Sequence, residues 1–276
     1  MIDRTEVPNP DDGSRPSPPG SVADDAELAL PRLCRSYAAP LIVTIDGPAG
    51  SGKSSTAVLL AERLGGVVLH TGRHYRAVAL VALRAWLDLQ DHAAVSHFLA
   101  EQHPFIDTRG QLCLNGVTFP VPELESREVD ALVGEIGRQH AVRWRLITEQ
   151  RNWVRAIVAE GHSVVIEGRD AGTRVAPQAR FRFYLHASVE ERAARRWTQQ
   201  VSPDPRDVYR EIVRRDSEDT GHGRTTLDTP GIIPICTENL STFQVLEKAW
   251  RVIADTPTDS PSRQSHTPDN PDHNAP

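Results

Sequence analysis

The run Gly47-Pro48-Ala49-Gly50-Ser51-Gly52-Lys53-Ser54, continued by Ser55, has the spacing G-x-x-x-x-G-K-[ST]. Glycines at these positions let successive backbone N–H groups turn inward as an anion nest, and a helix opening behind them adds the positive end of its dipole. Lys53 is then placed to reach the β- and γ-phosphates of a nucleoside triphosphate, and the Ser54 hydroxyl to ligate Mg²⁺. The lysine itself is informative. Lysine occurs only at Lys53 and Lys248 among 31 basic side chains, so a compact ammonium has been kept where a planar guanidinium would not serve.

Such a loop works only between a strand and a helix, and the flanks supply both. LIVTI at 41–45 reads as a buried strand and SSTAVLLAERL as the helix behind it. Further strand patterns lie at 67–70, 163–167, 181–186 and 231–235, separated by long helix-like stretches. Strand, helix and strand in repetition predict an α/β fold on a parallel sheet. Ser188-Val189-Glu190-Glu191 and Ser241-Thr242-Phe243-Gln244 have the spacing of capping boxes. Residues 104–124, with Arg109-Gly110 and Asn115-Gly116 as punctuation, predict a small antiparallel insertion.

Composition narrows the function class. The 276 residues carry a net charge of −6 and a mean hydropathy of −0.41, and no apolar run approaches the roughly 18 residues of a membrane span. The acidic balance argues against a nucleic-acid partner. Cys34, Cys113 and Cys236 are far apart and form neither a disulfide framework nor a zinc motif, which predicts a reducing, cytoplasmic setting. Residues 1–38 and 256–276 are rich in polar residues and proline and are expected to be disordered tails around one domain at 39–255. The histidines at 92, 97, 103, 162 and 186 form no metal-binding pattern, and Trp144, Trp153 and Trp197 are expected in the core.

Among P-loop classes, an NKxD guanine reader and an LSGGQ stretch are both missing. Arginines instead cluster at 73 and 76, 143 and 145, 169, 192, 195 and 196, and 214, 215 and 224. Guanidinium groups fork onto phosphates, so their abundance suggests a second phosphorylated ligand beside the triphosphate.

Taken with these features, IDGPAGSGKSS (45–55), TGRHYRAVAL (71–80), HAVRWRLITEQR (140–151), EGRDAGTRVAP (167–177), HASVEERAARR (186–196) and RRDSED (214–219) resemble the bacterial cytidylate kinases, of the nucleoside monophosphate kinase group. The resemblance runs from about Leu41 to Ile253. It implies a P-loop three-layer fold with a five-stranded parallel sheet, a nucleotide-monophosphate-binding insertion near 88–130 and a lid near 198–226. By resemblance, Arg76 and Arg169 would hold the acceptor phosphate, Arg143 and Asp170 the pyrimidine edge, and Arg215 and Asp219 the sugar. Arg195 would serve the ATP side, so that Lys53, Arg169 and Arg195 are the expected catalytic set, with ATP and Mg²⁺ as cofactors and a monomer as the working unit. Asp170 can accept from an exocyclic amino group and Arg143 can donate to the O2/N3 edge, a complementary pair for cytosine. The expected reaction is phosphoryl transfer from ATP to CMP or dCMP.

Departures from the family gather around the acceptor. The family's D-[ST]-G-x-[MI]-Y-R reads His70-Thr71-Gly72-Arg73-His74-Tyr75-Arg76 here, which predicts a more positive acceptor pocket. Gly134 stands where a serine would contact the cytosine amino group, Glu167 where aspartate is usual, and His222 where a lid arginine is common, with Arg224 two residues later. A modified nucleotide or other phosphorylated metabolite as acceptor is the first alternative, and a nucleotide-binding protein without transferase activity the second.

Overall fold

The structure is a computed structural model, and it describes residues 39–199, 204–219 and 224–257. The expected tails, except residues 256 and 257, lie outside the described residues. So do 200–203 and 220–223, including His222, which belong to the expected lid.

In chain order the elements are β1 (Ile42–Asp46), α1 (Lys53–Leu64), β2 (Val67–His70), α2 (Thr71–Arg84), α3 (His92–Glu101), β3 (Phe105–Ile106), β4 (Leu112–Cys113), α4 (Val121–Leu124), α5 (Arg127–Arg138) and α6 (His140–Ala159). Then follow β5 (Val164–Gly168), β6 (Phe181–His186), α7 (Val189–Gln199), α8 (Pro205–Asp219), β7 (Ile233–Cys236) and α9 (Thr242–Asp255). Five strands form one sheet in the order β2-β5-β1-β6-β7, and every pairing in it is parallel. The five predicted strands are these: β2 and β6 match to the residue, and the ends of β1, β5 and β7 move by one or two residues.

Covering of both faces explains the apolar runs. Val43, Ile45, Val165, Phe181, Phe183 and Leu185 point to one side, where they pack with Leu60 of α1 and with Leu246, Trp250 and Ile253 of α9. Leu69, Val164 and Ile166 point to the other, against Trp153, Val154 and Ile157 of α6. A separate apolar cluster joins α2 to α3, α5, α6 and the β4 region. The predicted antiparallel piece is the β3-β4 hairpin, extended by a Leu114–Val117 bridge around Asn115-Gly116.

Two local expectations need correction. Trp153 is buried, but Trp144 is 63% exposed and Trp197 44% exposed. The buried stripe of α6 runs Val142, Leu146, Gln150, Trp153, Ile157, and Trp144, about 200° around the helix from Val142, falls on the other side. The box at Ser241 is complete. At Ser188, the hydroxyl accepts from the Glu191 N–H at 3.2 Å, but the reciprocal acceptor is Glu238, which takes the Ser188 N–H at 2.8 Å. Glu191 is drawn away to Arg195, 2.8 Å distant. No helix among the described residues is long and apolar enough to cross a membrane.

Candidate active site

The Walker loop leaves the end of β1 and closes on the first turn of α1. Gly47 sits at φ 147, and a Cβ there would lie 2.1 Å from the Leu185 carbonyl oxygen, so only glycine lets the loop pass over β6. Gly52, at φ 88, caps α1. Inside the loop the Ser51 hydroxyl donates to the Pro48 carbonyl at 2.9 Å, and Lys53 Nζ donates to the same oxygen at 2.7 Å. Ser54 and Ser55 are exposed. A cavity of about 200 Å³ opens here, lined by residues 50–56 of the loop and α1, by Arg195 and Arg196 of α7, and by Leu240, Thr242 and Val245.

α7 clamps the loop from behind. Arg192 is buried and donates to the Ala187 carbonyl at 3.0 Å and to the Ala49 carbonyl at 3.1 Å. It also grips Asp216 of α8 with both terminal nitrogens, at 3.1 and 2.6 Å. Arg195 is held at the cavity by Thr237, through the hydroxyl at 3.1 Å and the carbonyl at 2.5 Å.

Beside β1 in the sheet, β5 ends on the Gly168-Arg169-Asp170 segment, with Asp46 and Gly168 in register. Asp46 accepts from the N–H groups of Ala171 and Gly172 at 2.9 and 2.7 Å and from the Thr225 hydroxyl at 2.7 Å. It thereby ties the strand before the loop to the turn after β5. Burial pushes the Asp46 carboxyl up to about 6, against the three hydrogen bonds that pull it down. Asp170 pairs with Arg143 of α6 at 2.7 Å, both side chains largely buried. The two residues expected at the pyrimidine edge therefore meet. Tyr75 lies beside them; its hydroxyl is buried without a hydrogen-bond partner among the described residues, and burial, with Asp170 nearby, raises its pKa.

The expectation of a more positive acceptor pocket fails at His74, and at His70 the added side chain is engaged by a carboxylate. His70 and Glu167 are lateral partners on β2 and β5, with His70 Nδ1 3.0 Å from the Glu167 carboxylate. The two departures from the family answer each other: the longer carboxylate at 167 meets a histidine where an aspartate would repel it. Burial alone would raise the Glu167 pKa, yet the His70 hydrogen bond and the charges of Lys53, His70 and Arg169 leave it lowered. His74 turns away into the α2–hairpin packing, Nε2 being 2.9 Å from the Gly110 carbonyl and Nδ1 3.1 Å from the Gln150 amide nitrogen. The proton therefore sits on Nε2, and burial pushes the pKa down to about 4, so His74 is neutral at pH 7.

This burial has a measurable sign. Between about pH 4 and 6.5 the unfolded chain binds a proton at His74 that the folded chain refuses, so stability is lost as pH falls through that window. Asp46 acts oppositely over much of the same range, because its folded carboxyl holds a proton that the unfolded one has released. Comparison of a variant with its parent removes the Asp46 contribution. His74→Met is expected to be roughly 2 to 3 kcal/mol more favourable relative to the parent at pH 4.5 than at pH 7.5, read by urea unfolding. A difference independent of pH would contradict a buried neutral His74.

Three arginines, among them Arg196 of the cavity lining, converge on one carboxylate. Asp130 of α5 faces Arg76 of α2 at 2.5 Å, Arg215 of α8 at 2.6 Å and Arg196 of α7 at 3.4 Å. Arg76 also donates to the Leu124 carbonyl at 2.8 Å, and Arg215 pairs with Glu211 at 2.8 Å. Arg76 and Arg215 were expected at the site, whereas Asp130 and the role of Arg196 there were not. The Asp219 side chain lies outside the described residues. The Arg169 carbonyl accepts from the Thr225 N–H at 2.9 Å, and its guanidinium acts on Glu167. Arg224, next to Thr225, acts on the Tyr75 hydroxyl.

Comparison with known proteins places the chain among relatives. The family model described as cytidylate kinase matches residues 43–255. A cytidylate kinase of Caldanaerobacter subterraneus subsp. tengcongensis is 35% identical over 216 residues, covering 76% of this chain and 93% of that protein. One from Nocardia farcinica is 35% identical over 223 residues, 78% of this chain and 94% of the relative. A third, from Pelotomaculum thermopropionicum, is 40% identical over 186 residues, 64% and 80% of the two chains.

Proposed function

Because this chain belongs to the cytidylate kinase family, we propose that it transfers the γ-phosphoryl group of ATP to CMP and dCMP, releasing CDP and dCDP. The observation that carries this reading is the adjacency of β1 and β5, which sets the Walker loop beside the Gly168-Arg169-Asp170 turn and brings Lys53 within electrostatic reach of Glu167.

In this reading the triphosphate lies in the loop from Gly47 to Ser55, with Lys53 directed at its terminal phosphates and Arg195 approaching from α7. The donor set suits Mg²⁺, which keeps most of its waters and takes one or two protein oxygens beside the phosphates. Ser54, exposed at the cavity, would hold it, and the ionised Glu167 would contribute through water. Bound there, the ion would neutralise charge on the transferring phosphoryl group.

The acceptor phosphate needs no general base. Its second pKa is near 6, so an anionic oxygen is present at pH 7. Arg76 and Arg169 would hold that phosphate in line, and Asp219 would hold the sugar together with Arg215, whose guanidinium would also reach the phosphate. Arg143 and Asp170, already paired, would read the base. Cytosine offers an amino group to Asp170, whereas uracil would set a carbonyl oxygen against the carboxylate, a mismatch of roughly 10²-fold or more. Gly134 brings no side chain to the amino group, so the Arg143–Asp170 pair would carry the discrimination. The enzyme would act as a cytoplasmic monomer.

With ATP and Mg²⁺, a coupled assay across CMP, dCMP, UMP, AMP and GMP is expected to give CMP and dCMP the highest kcat/KM. Preference for a purine monophosphate, or for UMP, would overturn the assignment of Arg143 and Asp170.

A further inference from the structure

Most clusters in the molecule are absorbed by the site. The Arg76–Arg196–Arg215 group around Asp130 is not, because its centre is a carboxylate supplied by the protein itself. These four residues come from α5, α2, α7 and α8, and each side chain is between 12 and 23% exposed. Three guanidinium groups directed at one point make a phosphate-binding geometry, and here a single carboxylate fills it. The arginines exceed the negative charge even with Glu211 counted. The buried Nε and Nη2 of Arg215 and Oδ1 of Asp130 have no hydrogen-bond partner among the described residues, so the carboxylate gathers these arginines by charge and leaves donors that it does not satisfy.

We propose that Asp130 is an internal stand-in for the acceptor's phosphate, holding Arg76, Arg196 and Arg215 together in the empty enzyme and giving them up when a phosphomonoester arrives. The inference rests on the proposed function for the identity of the acceptor, but not for the competition itself. A phosphomonoester dianion brings three oxygens and a larger charge, so it displaces a carboxylate that a neutral nucleoside cannot displace. Two consequences follow. Asp130 lowers the affinity of the cluster for every phosphate, free phosphate included, and so keeps the acceptor site from filling with the wrong anion. It also joins α5 to α7 and α8 only while the site is empty, so acceptor binding exchanges that link for one through the ligand.

Affinity measured by calorimetry, with the Walker loop saturated by a non-hydrolysable ATP analogue and Mg²⁺, tests this. Asp130→Asn is expected to bind CMP and inorganic phosphate about 5- to 10-fold more tightly than the parent, with cytidine unchanged. Asp130→Glu, which keeps the charge, is expected to stay near the parent. Removal of the counter-charge leaves three arginines facing one another, so the unliganded variant is also expected to melt lower and to regain more of its Tm from phosphate than the parent does. If Asp130→Asn is unfolded without ligand, millimolar phosphate is expected to restore it, and failure to do so counts against the proposal. CMP and phosphate bound equally or more weakly by the folded variant would overturn it. If the parent binds no CMP while the inorganic phosphate result holds, the substrate assignment fails and the role of Asp130 stands.

Discussion

Lys53→Ala is expected to lower kcat by roughly 10³-fold or more with little change in Tm. A single preorganised donor aimed at developing charge is worth about 10² to 10³ in rate, and Lys53 carries a full charge in a largely buried position. Its structural duty is small by comparison. Nζ donates to the Pro48 carbonyl, which keeps the Ser51 hydroxyl as a donor when the lysine is removed. Lys53→Arg is expected to rescue little, because a planar fork does not fit where a compact ammonium reaches between loop and phosphate. Steady-state kinetics beside a thermal melt separate the two effects. Activity within tenfold of the parent in Lys53→Ala would remove the lysine from the catalytic set.

Arg192→Ala is expected to show the largest loss of stability, about 3 to 5 kcal/mol, which corresponds to roughly 10 °C in Tm for a domain of this size. Four bonds depend on this one buried side chain: two carbonyls, at Ala187 and Ala49, and both oxygens of Asp216. Truncation strands the carboxylate and frees the back of the Walker loop together. The loop cannot compensate by closing inward, since Gly50 already lies so near α7 that a Cβ on it would be 2.8 Å from the Arg192 carbonyl oxygen. Arg192→Lys is expected to recover less than half of the loss, because one ammonium cannot span both Asp216 oxygens and the Ala49 carbonyl. Urea unfolding measures both variants. A loss below about 1 kcal/mol in Arg192→Ala would mean that the clamp contributes no more than a surface pair.

The parts of this site that were legible from the chain are those in which neighbouring residues do the work. Gly47 to Ser54 form a cradle out of their own backbone, so type and spacing identify it, and the flanking strand and helix are visible as apolar patterns. The sheet was legible for a related reason. A strand buried on both faces is apolar on consecutive positions, as Val164, Val165 and Ile166 of β5 are, whereas β6, predicted to the residue, buries alternate positions of Phe181–His186.

Long-range pairings were not legible in this way. Nothing about Asp130 distinguishes it from the other acidic residues of an amphipathic helix, and its partners lie on α2, α7 and α8, 54 to 85 residues away in sequence. His70 and Glu167 looked like two separate departures until the sheet placed them side by side. His74 looked like added charge in the acceptor pocket, because composition does not reveal which way a helix presents a side chain or how burial removes its proton. Glu191 had the spacing of a capping residue, and a competitor distant in the same chain, Glu238, took the bond.

Phosphoryl transfer to a cytidine monophosphate is the central claim, and the fate of the γ-phosphoryl group tests it most directly. Protein mixed with γ-labelled ATP, Mg²⁺ and CMP, with Lys53→Ala as the blank, is expected to carry the label into CDP in step with ADP formation, with little released as free phosphate. Label found only in inorganic phosphate, or a rate no greater than the Lys53→Ala blank, would contradict it.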